Sequence, residues 1–273
     1  MGLRVNSNTS SINAQRNLAN TTNSLQRSLQ RLSSGLRITR ASDDAAGLAI
    51  SENFRADVRS LTQAQRNAND GISMLQIAEG ALNEVSSILI RQRELAIQAA
   101  NGTLGDTERT TIDNEVQDLV SEIDRIAAVT QFNGTSVLNS TATISFQIGV
   151  DNSANDRIDV SSVLASSDAI GVSGISLTSA SGARTSLALI DSAISQVASL
   201  RAGFGTVQNR LESAIRSIAV AVENTAAAES RIRDVDFASE TAELTRNQVL
   251  QQAGISVLAQ ANVSTQSALQ LLQ

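Results

Sequence analysis

The sequence predicts a mainly α protein: a long antiparallel helical bundle or coiled coil with a small β-hairpin region, its N- and C-terminal helices paired with one another. Three observations predict it. Apolar residues recur seven apart over long stretches, as Leu61, Ala68, Leu75, Leu82, Leu89 and Ala96 do, and again Ile190, Val197, Phe204, Leu211 and Ile218. That is the repeat of helices packed along a seam. Proline is absent and aromatics are only 2 % of the chain, so nothing interrupts a helix and the apolar mass is that of narrow helix–helix contacts. Near Thr141 the period changes to two: Ile144, Phe146, Ile148 and Val150 alternate with polar residues, and Ile158 and Val160 alternate again after the turn residues Asp151–Asp156. This is a hairpin pattern.

The elements follow in order. The first segment, up to Ser42, carries Arg4, Arg16, Arg27, Arg31, Arg37 and Arg40 and no acid. Ile12, Leu18, Leu25, Leu29, Leu32 and Leu36 give it a helical stripe. Gly35 and the Ser/Asp cluster after it break the helix, with Asp43 or Ser42 placed to cap the next one. That second helix carries the first heptad seam, supported by Ile72, Ala78 and Val85, and stops near Asn101-Gly102. A third helix starts at Asp106 or Thr107, carries Ile112, Val116, Leu119, Ile123 and Ile126, and stops at Gln131–Gly134. After the hairpin, residues 161–182 are rich in Ser and Gly and read as irregular, with a short extended piece at Ile175–Leu177. Helix returns near Arg184 and leads through Ser230–Glu240 into a last helix. The plan is a terminal coiled-coil domain from 1–43 with 234–273, and a helical rod, 44–233, that holds the β region at about 141–183.

The final stretch, Asn247–Gln273, has no charged residue, yet Gln and Asn are spread among its Val, Leu, Ile and Ala. Leu250, Val257, Leu258, Leu269 and Leu272 recur along it at helical spacing. A polar but uncharged amphipathic helix fits burial among other protein surfaces, because charge is what dehydration penalises most. Ordering each residue costs about 1–2 kcal/mol, and a helix pair buries only one face of each member. The two ends are therefore expected to be largely disordered in a lone subunit and to fold when copies stack around Ile12, Leu18, Leu25, Leu29, Leu32, Leu250, Val257, Leu258, Leu269 and Leu272.

Composition narrows the function classes. The net charge is −6, a basic first segment against an acidic remainder, which suits self-association better than nucleic-acid binding. Stacking platforms for bases are also missing. There is no Cys and no His, so disulfides, zinc ligation by those groups and the usual nucleophile–base pairs are unavailable. No catalytic, cofactor-binding or metal-binding residue is assigned, and no cofactor is expected. The carboxylate pairs Asp43-Asp44 and Asp234/Asp236 read as caps and interface ion pairs. No apolar run approaches the length of a membrane span. The N-terminal residues do not form a secretory signal peptide, which by itself points to the cytoplasm.

Several long stretches together resemble the bacterial flagellins. These are LRVNSNTSSINAQRNL (Leu3–Leu18), RLSSGLRITRASDDAAGLAISENF (Arg31–Phe54), RQRELAIQAANGT (Arg91–Thr103), TQFNG (Thr130–Gly134), SRIRDVDFASE (Ser230–Glu240) and VLAQAN (Val257–Asn262). One departure is the absence of the proline that the family often has near Thr265. The resemblance implies a structural subunit exported unfolded by the flagellar type III system and polymerised into the extracellular filament, its termini forming the inner core. It overrides the cytoplasmic expectation. It implies as partners other copies of the chain, an export chaperone, the filament cap, hook-filament junction proteins and the host innate immune receptor for flagellin. Arg91, Arg93, Glu94, Leu95 and Glu115 match the stretch that receptor recognises in many flagellins. The variable outer domains of the family are missing, with only residues 141–183 in their place. A hook-filament junction protein and a secreted, non-polymerising ligand or adhesin are the alternative readings.

Overall fold

In the computed structural model, residues 7–270 are described, with side-chain surroundings described through Val263. The helices are α1 (Thr9–Ser34), α2 (Ala45–Ala99), α3 (Asp106–Val129), α4 (Ala180–Arg233) and α5 (Phe237–Gln270). Four short strands lie between α3 and α4: β1 (Gln131–Phe132), β2 (Thr135–Ser136), β3 (Thr143–Gln147) and β4 (Arg157–Ser161). The chain divides into two compact units. One joins the segment up to Ala56 with the segment from Asn224, and the other is Asp57–Glu223. The boundaries fall inside α2 and α4.

The Asp57–Glu223 unit holds the core. The buried face of α2 is Ala64, Ala68, Leu75, Ala78, Leu82, Val85, Leu89, Ala96 and Ala99, at steps of three, four and seven. Ile112, Val116, Val120 and Ile123 of α3 and Ile190, Val197, Phe204 and Leu211 of α4 join the same cluster. The expected seams thus lie where the heptads put them. Gln92 of α2 also lies in this face, fully buried, and neither atom of its amide has a hydrogen-bond partner.

The expected hairpin is β3 with β4, antiparallel, Ile144 opposite Val160 and Phe146 opposite Ile158. Ile158 and Val160 face the core while Arg157, Asp159 and Ser161 are exposed, the alternation that sequence period two demands. A second, shorter hairpin pairs β1 with β2. Its turn is Asn133-Gly134, both at positive φ (49° and 79°), the backbone a two-residue hairpin turn requires and that Asn-Gly supplies. This stretch was expected only as a helix stop.

Ile175–Leu177 is not a strand. Burial still holds it in place, with Ile175 and Leu177 in the core, and α3 supplies the bonds that a sheet would have given. Asp113 accepts from the Leu177 N–H at 2.6 Å, Gln117 donates to the Ile175 carbonyl at 2.9 Å, and Asp124 accepts from the Ser167 N–H and hydroxyl at 2.7 and 2.8 Å. The irregular backbone is therefore satisfied by side chains rather than by a neighbouring strand.

The terminal unit begins with a capped helix. Asn8 accepts from the Ser11 N–H, and α1 ends at Gly35, whose φ of 73° closes the helix in the left-handed conformation that favours glycine. Neither Asp43 nor Ser42 caps α2. Asp44 does, accepting from the Gly47 N–H at 2.8 Å. Asp43 turns back to gather the Thr39 and Arg40 N–H groups and the Thr39 hydroxyl. These bonds, the Thr39 hydroxyl foremost, hold its carboxyl below the ordinary carboxylate range against the opposing effect of burial.

The break after α1 is bonded to the break between α4 and α5. The Arg37 N–H donates to the Arg233 carbonyl at 2.7 Å and the Val235 N–H to the Gly35 carbonyl at 3.0 Å. The Arg37 guanidinium adds a contact to the Ile232 carbonyl at 2.7 Å.

Candidate assembly surface

α1 and α5 are antiparallel partners. Asn8 donates to the Ala261 carbonyl, Leu18 packs on Gly254, and Arg31 lies 3.7 Å from Glu240. Glu243 aside, the less exposed positions of α5 are Glu240, Leu244, Asn247, Gln251, Gly254, Leu258 and Ala261, alternating by four and three as a coiled-coil seam does. On α1 they include Ser11, Ala14, Leu18, Thr21, Leu25, Ser28 and Leu32, with Thr22, Ser24 and Arg31 beside them. Small and polar residues thus dominate the contact. They let the two helices approach closely along the pair.

Many large apolar side chains of these helices point elsewhere. Ile12 is 63 % exposed, Val257 58 % and Leu250 50 %, and Leu29, Phe237, Val249, Ile255 and Val263 are also exposed. Among the described residues, only Ala14 and Ile38 of the buried apolar set belong to this unit. Of the residues expected to drive assembly, Leu18, Leu25, Leu32 and Leu258 therefore lie half-buried in the seam between α1 and α5. Ile12, Leu29, Leu250 and Val257 lie outside it. Leu269 lies beyond the described side chains and Leu272 beyond the described residues. The exposed members Phe237, Val249, Ile255 and Val263 were not singled out from sequence. The signal that could have found them is that α5 carries apolar residues on every side rather than on one stripe.

The second cluster of expected site residues lies on α2 and α3. Arg91 bonds Glu115 of α3 at 2.9 Å and Glu94 at 3.2 Å, and these carboxylates, Glu115 first, raise its pKa further. Arg93 pairs with Asp191 of α4 at 2.7 Å. Leu95 does not share this exposed surface. It is 2 % exposed and belongs to the core. Of the other carboxylates, Asp234 accepts from Ser230, and Asp236 from the Ala238 N–H at the start of α5. Among the described residues no group of three His, Cys, Asp or Glu side chains is placed to hold a metal, and no helix is long and apolar enough to cross a membrane.

Residues 5–143 match the family profile described as the bacterial flagellin N-terminal helical region, and residues 187–272 match the flagellin C-terminal helical region. A flagellin of Halalkalibacterium halodurans is 45 % identical over 98 % of this chain and 99 % of its own length. The flagellar filament 33 kDa core protein of Treponema phagedenis is 43 % identical over 98 % of this chain and 99 % of its own. The crystal structure of Bacillus cereus flagellin superposes with a TM-score of 0.51 at 34 % identity, covering 56 % of this chain and 88 % of that one. A helical scaffold that leaves several aliphatic side chains of its two end helices uncovered, matched at both ends and along nearly its whole length, belongs to the bacterial flagellin family, and the chain is a structural subunit of the extracellular flagellar filament.

Proposed function

We propose that the subunit polymerises through its two ends, the segments 1–43 and 234–273 acting as the inner core of the filament and 44–233 as a preformed rod around it. The carrying observation is the exposure of Ile12, Leu29, Phe237, Leu250, Ile255 and Val257 on a helix pair that, among the described residues, fully buries no large aliphatic side chain. Such a surface is stabilised by contact with further copies, each large side chain contributing roughly 1.5–3 kcal/mol once fully buried. The uncharged Gln and Asn of α5 remain compatible with either a protein contact or water.

Seeded growth tests this. Purified subunit added to sheared filaments is expected to extend them, as seen by electron microscopy. The double variant Leu250→Ala/Val257→Ala is expected to keep its helix content and stop extending them. Extension at the wild-type rate by that variant defeats the proposal.

The family also supports finer expectations: passage of the unfolded chain through the flagellar type III route, and partnership with an export chaperone, the filament cap and junction proteins. An unfolded chain without Cys has no disulfide to obstruct its passage. The role is structural, with no enzymatic step assigned. Recognition by the host receptor for flagellin would use the exposed Arg91–Glu94–Glu115 cluster with Arg93, Leu95 serving to hold α2 in the core beneath it. Arg91→Ala is expected to weaken signalling in a receptor reporter assay, and undiminished signalling removes that part of the reading.

A further inference from the structure

Two loops of the Asp57–Glu223 unit carry the same three residues. Asn101-Gly102-Thr103 lies between α2 and α3, and Asn133-Gly134-Thr135 turns β1 into β2. Asparagine is a labile side chain, most of all before glycine. The glycine nitrogen attacks the asparagine side-chain carbonyl carbon, and no Cβ on the glycine obstructs its approach. Local sequence does not separate the two copies, and all six residues are exposed. Their backbones do separate them. Asn133 and Gly134 both stand at positive φ, 49° and 79°. Beneath them Gln131 pairs with Ser136 and Phe132 with Thr135, and Val137 and Leu138 just after are fully buried. Swinging the Gly134 nitrogen over the Asn133 side chain means leaving that left-handed pair, which the hairpin opposes.

At Asn101 there is no strand pairing to lose, and both reacting groups are chemically prepared. The Gly102 N–H donates to no acceptor among the described residues, and a Cβ placed on Gly102 would meet only open space. The buried Arg109 guanidinium donates to the Asn101 main-chain carbonyl at 3.1 Å. Positive charge at that oxygen favours the deprotonated, nucleophilic form of the Gly102 nitrogen, the other end of the same peptide group. The Thr103 N–H donates to the Asn101 side-chain oxygen at 3.3 Å, where negative charge collects during the attack. The geometry points to Asn101 as a self-modification site that deamidates in the folded subunit while Asn133 is protected. The Gly102 nitrogen bonds to the Asn101 Cγ, and its proton passes through solvent to the side-chain nitrogen. The Cγ–Nδ2 bond breaks, ammonia leaves and a succinimide remains. Water then opens the ring at either carbonyl, leaving aspartate or isoaspartate, a carboxylate where a neutral amide stood. Opening at the main-chain carbonyl gives isoaspartate and puts the new carboxylate on the carbon whose oxygen Arg109 holds. Arg109, paired to the exposed Asp106, thereby gains a second charged partner. The loop acquires a negative charge as the subunit ages, at a place where the fold accommodates it.

Peptide mapping by mass spectrometry of the full-length subunit, held at mildly alkaline pH, tests this. In the folded chain Asn101 is expected to convert at least roughly tenfold faster than Asn133, whose reactive conformation requires local opening of the hairpin. In concentrated urea, where only the shared sequence acts, the two rates are expected to converge. Gly102→Ala, which the space around that position allows without disturbing the loop, is expected to slow conversion at Asn101 at least roughly tenfold by shielding the nitrogen. Arg109→Gln is expected to slow it too, leaving Asn133 unchanged. Equal rates at the two sites in the folded chain, a difference that persists in urea, or undiminished conversion in Gly102→Ala overturns the proposal. So does undiminished conversion in a folded Arg109→Gln chain, and should that variant not fold, Gly102→Ala decides.

Discussion

Leu82 and Val257 both stand on long helices among aliphatic neighbours, yet Leu82 is wholly buried and Val257 is 58 % exposed. The first belongs to a unit in which α2, α3 and α4 close over one another. The second belongs to a unit whose helix contact buries Ser11, Ala14, Ser28 and Asn247 most deeply, with leucines only half-buried beside them, while Ile12, Leu29, Leu250, Ile255 and Val257 face outward. The difference teaches that a heptad of aliphatics says where a helix wants contact and not which chain will provide it. One unit completes its burial within the subunit, and the other leaves large aliphatic side chains uncovered.

The largest effect that would break this contrast is in hydrogen exchange of the lone subunit. Amides of Leu75–Gln92 are expected to exchange at least roughly a thousandfold more slowly than those of Leu18–Leu32 and Leu250–Leu258, because local stability follows buried apolar contact. Equal protection in both units would end the comparison. Next is a pair of truncations. Leu82→Ala is expected to cost about 2–5 kcal/mol in denaturant unfolding of the subunit, the range for emptying a buried leucine site. Leu250→Ala is expected to change it by less than about 0.5 kcal/mol, as exposed substitutions do. Smaller again is Gln92→Leu. Removing a buried amide that makes no hydrogen bond is expected to raise the stability of the Asp57–Glu223 unit by about 1–3 kcal/mol, and no gain in the unfolding midpoint would mean that the amide has a bonding partner in solution.

The smallest effect concerns Asp43. Its folded pKa lies below the ordinary carboxylate value, so its contribution to stability is present above that value and disappears as the pH falls through the depressed one. Thr39→Val removes the leading cause and is expected to move the Asp43 midpoint upward, followed by NMR of the Thr39 and Arg40 amides. An unmoved midpoint would mean that the tie within the terminal unit rests on the backbone N–H groups alone.

Much of this was legible in the chain. The seven-residue spacing of Leu75, Leu82 and Leu89, and of Ile190, Val197 and Leu211, located the buried seams because a core forgives little in the register of large side chains. The hairpin of β3 with β4 was legible for the same reason at period two. The pairing of the two ends could be read, but its facing residues could not. Ser28 and Asn247 carry no hydrophobic signal, and Leu29 and Leu250 beside them carry a strong one that is directed elsewhere. The cap of α2, expected at Asp43 or Ser42, falls on Asp44, because loop geometry and not residue type decides between two adjacent identical side chains. The anchoring of Ile175–Leu177 by Asp113 and Gln117 depends on residues some sixty positions away, a separation at which no local pattern survives.

The tie between Gly35–Arg37 and Arg233–Val235 is made first by main-chain atoms. Peptide groups are common to every residue, so genetic drift at Leu36 or Asp234 leaves both bonds available and only the left-handed glycine at position 35 is chemically constrained. A lineage can thus rewrite the exterior of its terminal helices to suit new neighbours while the turn that ties their inner ends together keeps its geometry.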